Sequence, residues 1–66
     1  MKANTWEGTF EIKHRTDNAV LVIDPASDEE VWIPNSQIEE IHGIKGNSTH
    51  FTIVMSSWIA QKKGFL

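Results

Sequence analysis

The chain has no cysteine and only two prolines and four glycines in 66 residues. Without cysteine it forms neither a disulfide nor a thiolate metal site, so a reducing compartment is the simplest location. No apolar run approaches the ~20 residues that cross a bilayer, and no apolar signal segment follows the first residues. We therefore expect a cytoplasmic protein that is neither secreted nor inserted into a membrane.

The length of the chain predicts one domain, residues 1–66, with a small hydrophobic core. A chain this short buries only about 60% of the surface that its unfolded form exposes, which leaves few residues for a deep pocket. Three tryptophans, three phenylalanines and several valines and isoleucines supply the core. The side chains predicted to be buried, each on the apolar phase of a predicted strand, are Phe10, Leu21, Ile33, Phe51 and Ile53.

Positive charge is missing from the middle of the sequence. Between residues 16 and 44 there are seven acidic residues and no lysine or arginine, whereas residues 45–66 carry three lysines and no acid. The formal net charge of −3 therefore hides an acidic centre between a mildly basic start and end.

Alternation of apolar and polar residues predicts five strands. The pattern is clearest over residues 6–15, where Trp6, Phe10 and Ile12 share one phase with His14, and where Gly8 suggests a bulge or bend. Asp, Asn, Pro and Gly mark the turns between strands. The predicted strands are residues 6–15, 19–23, 31–33, 39–44 and 49–55.

Two short helical segments complete the predicted fold. Residues 36–38 fit a single 3₁₀ turn, and Ser56 or Ser57 caps a final helix that Gly64 ends. The pattern predicts a mainly β protein, a small SH3-like five-stranded antiparallel barrel with a short C-terminal helix. An OB-like barrel is the alternative.

Two segments carry a resemblance to known proteins. Residues 31–38 read Val-Trp-Ile-Pro-Asn-Ser-Gln-Ile after an acidic turn, and residues 58–64 read Trp-Ile-Ala-Gln-Lys-Lys-Gly. The chain resembles a group of very small proteins encoded by phages and prophages that share these two patterns. The resemblance covers about half of the chain, implies a genomic origin and a fold, and names no reaction.

Catalytic and metal-binding constellations are not found. Ser36, Ser56 and Ser57 lack the context of a nucleophile, and the histidines fall on different predicted strands. Of these, only His14 and His50 could be cross-strand neighbours that share a metal. We expect no enzymatic activity, no metal and no cofactor.

An acidic surface around an aromatic side chain is the first candidate binding site. Trp32 either faces outward beside Glu30 or lies under the C-terminal helix against Trp58 or Phe65, whereas Trp6 and Trp58 are expected in the core. An acidic surface suits a basic partner, here a bacterial host protein, including one of its defence systems. The candidate partner-binding residues are Asp28, Glu29, Glu30, Trp32, Glu39 and Glu40.

Two other functions remain open from the sequence. Small barrels often bind single-stranded nucleic acid or nucleotides, for which the candidate residues are Lys13, Arg15, Lys62 and Lys63. The acidic centre makes this function less favoured. A small structural component that acts as a homo-oligomer is the third possibility.

Overall fold

The computed structural model describes residues 4–66, which form five antiparallel strands, a 3₁₀ turn and one short helix. The mainly β class, the antiparallel arrangement and the C-terminal helix are confirmed. The elements are β1 (Thr5–Arg15), β2 (Ala19–Ile23), β3 (Glu30–Pro34), the 3₁₀ turn (Asn35–Gln37), β4 (Ile38–Ile44), β5 (Asn47–Ser56) and α1 (Ser57–Lys62).

The strands form one sheet in the order β3-β2-β1-β5-β4. The central strand β1 is shared between two partners: residues 5–11 pair with β5, and residues 11–15 pair with β2. Such a stagger is what a sheet needs in order to curl toward closure. In the described part of the chain the ladder does not join β3 to β4, so closure into a barrel stays a prediction.

A bulge in β1 changes which side chains face the core. The register with β2 shifts between Ile12 and His14, so His14 pairs with Leu21 on the outer face, the face turned away from the core. The alternation had placed His14 on the core phase, and this was wrong because one inserted residue reverses every later side chain. Gly8, expected to mark the bulge, instead pairs regularly with Ile53.

The core is one cluster built from β1, β2, β3, β5 and α1. Predictions for Phe10, Ile33 and Ile53 are confirmed. Leu21 is only half-buried because β2 directs its two neighbouring valines inward and Leu21 outward. The fully formed cluster comprises Phe10, Val20, Val22, Ile33, Ile53, Met55, Ile59 and Ala60.

Phe51 shares the core face of β5 with Ile53 but is only half-buried, which corrects its prediction as a core residue. Its cross-strand neighbours are Phe10 on β1 and Gly43 on β4. Since Gly43 has no side chain, nothing from β4 covers Phe51 at that position.

The 3₁₀ turn after β3 is hydrogen-bonded to the turn between β1 and β2. Pro34 ends β3, and the Asn35 backbone N–H donates to the carbonyl oxygen of Asn18 at 2.8 Å. The Asn35 side-chain amide also donates to the carbonyl oxygens of Thr16 and Asp17 at 3.2 and 3.0 Å. Asn35 therefore ties the 3₁₀ turn to the β1–β2 turn.

The C-terminal helix begins and ends as predicted. Ser56 caps it: its Oγ accepts the Ile59 N–H at 3.2 Å and donates to Gln37 Oε1 at 2.7 Å. Gly64 (φ +85°) is left-handed, and the N–H of Phe65 donates to the Ala60 carbonyl at 2.8 Å, a Schellman ending. Across residues 4–66 no helix has the length and apolar character needed to cross a bilayer.

Trp58 lies on the solvent side of this helix, which corrects its prediction as a core residue. The helix buries Ile59 and Ala60 against the sheet, so Trp58 is left 58% exposed. Lys62, one turn later, places its Nζ 5.1 Å from the centre of the Trp58 ring. This is a cation–π pair on the surface of α1.

Candidate functional site

Trp32 stands on the outer face of β3 and is 45% exposed. It pairs with Leu21 on β2, and the ring of His14 on β1 lies perpendicular to it (89°) with 6.5 Å between the ring centroids. Of its two expected placements, the outward one is confirmed. The placement under α1 is wrong because Phe65 packs on Trp6 and Phe10 instead.

Two charged side chains border this tryptophan. Lys13, at the bulge of β1, lies 3.7 Å from Glu30 at the start of β3, and both side chains are about half exposed. An exposed ion pair of this kind contributes at most about 1 kcal/mol. We call Lys13, His14, Leu21, Glu30 and Trp32 the Trp32 surface.

The acidic residues fall into two groups. Asp28 and Glu29 immediately precede β3, in a loop closed by hydrogen bonds from the Asp28 N–H to the Asp24 carbonyl (2.7 Å) and from the Asp24 N–H to the Glu29 carbonyl (2.8 Å). Glu39 and Glu40 lie on β4, at the opposite edge of the ladder from β3. Asp28, Glu29 and Glu30 adjoin Trp32 along the chain. The ladder order does not decide whether Glu39 and Glu40 also come near it, because β3 and β4 are joined by only the 3₁₀ turn, so the gathering of five carboxylates stays a prediction.

The second acidic group has a member that sequence reasoning missed. Glu7 on β1 and Glu40 on β4 both pair with Val54 on β5, so the two glutamates flank Val54 on the outer face, about 10 Å apart. Glu40 Oε1 is also 2.6 Å from Nε2 of His42. Alternation predicts that Glu7 points outward, but only the strand register shows what it lies beside.

The candidate nucleic-acid residues do not form one patch. Thr5, at the start of β1, pairs with Ser56 just before α1, whereas Lys13 and Arg15 lie at the other end of β1. Lys13 is engaged by Glu30, and Lys62 lies over Trp58. Lys63 is the C-cap of α1. The four cations are thus divided between two ends of the sheet.

The histidines are dispersed as well. The strand register pairs His50 with Glu11, and His14 with Leu21 on the other side of β1, so His14 and His50 are not cross-strand neighbours, which the sequence had left possible. His50 Nδ1 lies 2.9 Å from Thr49 Oγ1. Within residues 4–66 no group of three or more histidine, aspartate or glutamate side chains is placed to hold a metal ion.

An aromatic pocket of about 250 Å³ lies beside β1. It opens where β2 ends at Ile23 and the chain turns away, leaving residues 5–10 of β1 paired only with β5. Trp6 and Phe65 stack at 5.8 Å and 14°, and Phe65 tilts against Phe10 at 4.8 Å. The pocket is lined by Trp6, Gly8, Thr9, Phe10, Asp24, Pro25, Ala26, Gly64 and Phe65. Sequence reasoning missed it because its walls come from three separate segments.

Comparison with known proteins gives no relative for this chain: no protein-family model, no curated protein and no solved structure matches it. The class that the structure defines is a small antiparallel β domain with a capped C-terminal helix. What it binds must be inferred from its own residues.

Proposed function

We propose that this protein is a non-catalytic binding protein that attaches to a basic surface of another protein and blocks it. The observation that carries the proposal is Trp32, a large aromatic side chain left 45% exposed on a strand whose other residues are packed or charged. Half-exposed tryptophans are favoured anchors at protein interfaces.

Charge around Trp32 indicates the kind of partner. Asp28, Glu29 and Glu30 precede or flank the tryptophan, and within residues 4–66 the Trp32 surface includes one lysine, Lys13, and no arginine. An excess of negative charge speeds association with a positively charged surface and disfavours nucleic acid as a direct ligand. A basic groove that normally holds nucleic acid is the kind of surface that such a protein occupies.

The resemblance to phage-encoded proteins supplies the biological setting of this proposal. The partner is a bacterial host protein, in the host cytoplasm, and the chain acts as a phage-type accessory protein that modulates or inhibits it. A component of a host defence system is one such partner. This setting rests on residues 31–38 and 58–64 alone.

The test is affinity capture of host proteins from a bacterial lysate by the purified chain. Trp32→Ala should abolish capture of the specific partner, whereas Trp58→Ala, which removes an even more exposed tryptophan, should leave it intact. Capture by Trp32→Ala at the level of the parent would contradict the proposal.

Charge reversal tests whether the acidic residues take part in binding the partner. Exchange of Glu29, Glu30 and Glu39 for lysine should abolish capture without unfolding the domain, and the association rate of the parent should fall as salt increases. The double exchange at Glu29 and Glu30, the two acids nearest to Trp32 in the chain, separates their contribution from that of Glu39 on β4. Retained capture by the triple variant would contradict the acidic-surface proposal.

The alternative function, binding of single-stranded nucleic acid or nucleotides, makes a different prediction. Tight binding of the parent to a single-stranded oligonucleotide at physiological salt, lost when Lys13 and Arg15 are changed to alanine, would favour it. Self-association that is lost in Trp32→Ala, seen by sedimentation, would instead assign the Trp32 surface to a homo-oligomer.

A further inference from the structure

We propose that the aromatic pocket binds a quaternary ammonium group, a cation that carries no N–H donor. Free choline-type molecules and trimethylated lysine side chains both present this group. The juxtaposition behind the proposal is three packed aromatic rings and one carboxylate, Asp24, around a single cleft of about 250 Å³.

The rings supply apolar surface against which the methyl groups of such a cation pack. The faces of aromatic rings carry negative charge density, and tryptophan is the strongest of them. Phe10 is almost fully buried, so it forms the base, while Trp6 and Phe65 are half-buried and contribute the walls. Because Phe65 contacts both other rings, the walls are held in place before any ligand arrives.

Asp24 supplies the charge. It is the only ionisable residue among the described residues that line the pocket, so the lining itself carries one negative charge. The Ala26 N–H donates to Asp24 Oδ1 at 2.9 Å, which fixes the carboxylate at the rim. Among residues 4–66 no lysine or arginine lines the pocket, although Lys63 directly precedes the lining residue Gly64.

The pocket offers few hydrogen-bond acceptors, and this disfavours cations that carry N–H donors. A primary ammonium has three N–H donors and a guanidinium has five, and leaving them unsatisfied is costly. Aromatic rings accept little, and one oxygen of Asp24 already receives the Ala26 N–H. A quaternary ammonium has no N–H donor to satisfy, and its methyl groups pack on the rings and on Pro25.

The experiment is an NMR titration of the full chain with choline and with 3,3-dimethylbutan-1-ol, which has the same shape without the charge. Choline should shift the Trp6 indole resonance saturably and bind about tenfold more tightly than the neutral alcohol. Asp24→Asn keeps an oxygen acceptor for Ala26 and should reduce choline affinity to that of the alcohol. Asp17→Asn, which removes an exposed carboxylate from the β1–β2 turn, should leave choline affinity unchanged.

Equal affinities for choline and the alcohol, no saturable shift with choline, or parental choline binding by Asp24→Asn would each overturn the proposal. If Asp24→Asn fails to fold, the comparison of the two ligands on the parent chain decides alone. A parallel titration with N-acetyl-trimethyllysine amide distinguishes the source: tighter binding than choline indicates a methylated protein, and weaker binding a free molecule. No partner protein is needed, so failure here leaves the Trp32 surface proposal standing.

Discussion

The indole ring of Trp6 lies over Gly8, two residues further along β1. A Cβ placed on Gly8 would stand 2.5 Å from Cη2 and 2.9 Å from Cζ3 of Trp6, distances at which something must move. The absence of a side chain at Gly8 therefore lets the Trp6 ring approach the backbone of β1 closely. The same ring forms a wall of the aromatic pocket.

Gly8→Ala should lower the free energy of unfolding by about 1–3 kcal/mol, because the Trp6 ring must leave its place against Phe10 and Phe65. Gly43→Ala is the matched control, since a Cβ there meets nothing within 4 Å. It should leave stability unchanged or raise it by up to about 1 kcal/mol. Urea unfolding measures both, and equal effects would place the Trp6 ring elsewhere.

Substitutions at two neighbouring residues of β2 test which face of this strand is turned to the core. Val22→Ala should cost about 2 kcal/mol because Val22 is fully buried, whereas Leu21→Ala should cost less than about 1 kcal/mol although it removes more atoms. Chemical denaturation of the two variants provides the comparison. A larger loss for Leu21→Ala would mean that β2 presents the opposite face to the core.

The cap of α1 can be removed by one substitution. Ser56→Ala deletes the acceptor of the Ile59 N–H and the donor to Gln37, and should destabilise the fold by about 1 kcal/mol or somewhat more. Ser56→Thr keeps the hydroxyl and should retain most of the stability. If both variants unfold at the denaturant concentration of the parent, the hydroxyl does not hold the helix.

Metal dependence provides another test. With His14, His42 and His50 dispersed over the sheet, thermal unfolding should occur at the same temperature with and without a strong chelator. Calorimetry in the two buffers is sufficient. A loss of several degrees in the chelator would assign a structural ion to one or more of the histidines.

Local chemistry determined the elements of this fold. Alternating residues predict β1 and β5, Asn and Gly predict the turns, and Ser56 and Gly64 mark the two ends of α1. These features are readable because they depend on residues within a few positions of one another: a period of two, a side chain that caps a nearby N–H, a glycine at positive φ. The same reasoning made an outward position one of two placements for Trp32, because Val31 and Ile33 flank it on the opposite phase, and only the tertiary structure decided between them.

The tertiary structure decided which side chains face the core and which residues lie together at each candidate site. One bulge between Ile12 and His14 moves His14 beside Trp32. In β2, Val22 faces the core and Leu21 faces outward. The sequence could not show this, because every residue of β2 is apolar and no alternation marks the buried face. Strand order places Glu39 and Glu40 on the edge opposite Glu30, and it brings Glu7 beside Glu40 across Val54. The aromatic pocket joins β1, the loop after β2 and the C-terminus, which are far apart in sequence. Such neighbours depend on strand pairing over long separations, and no local pattern of residues encodes them.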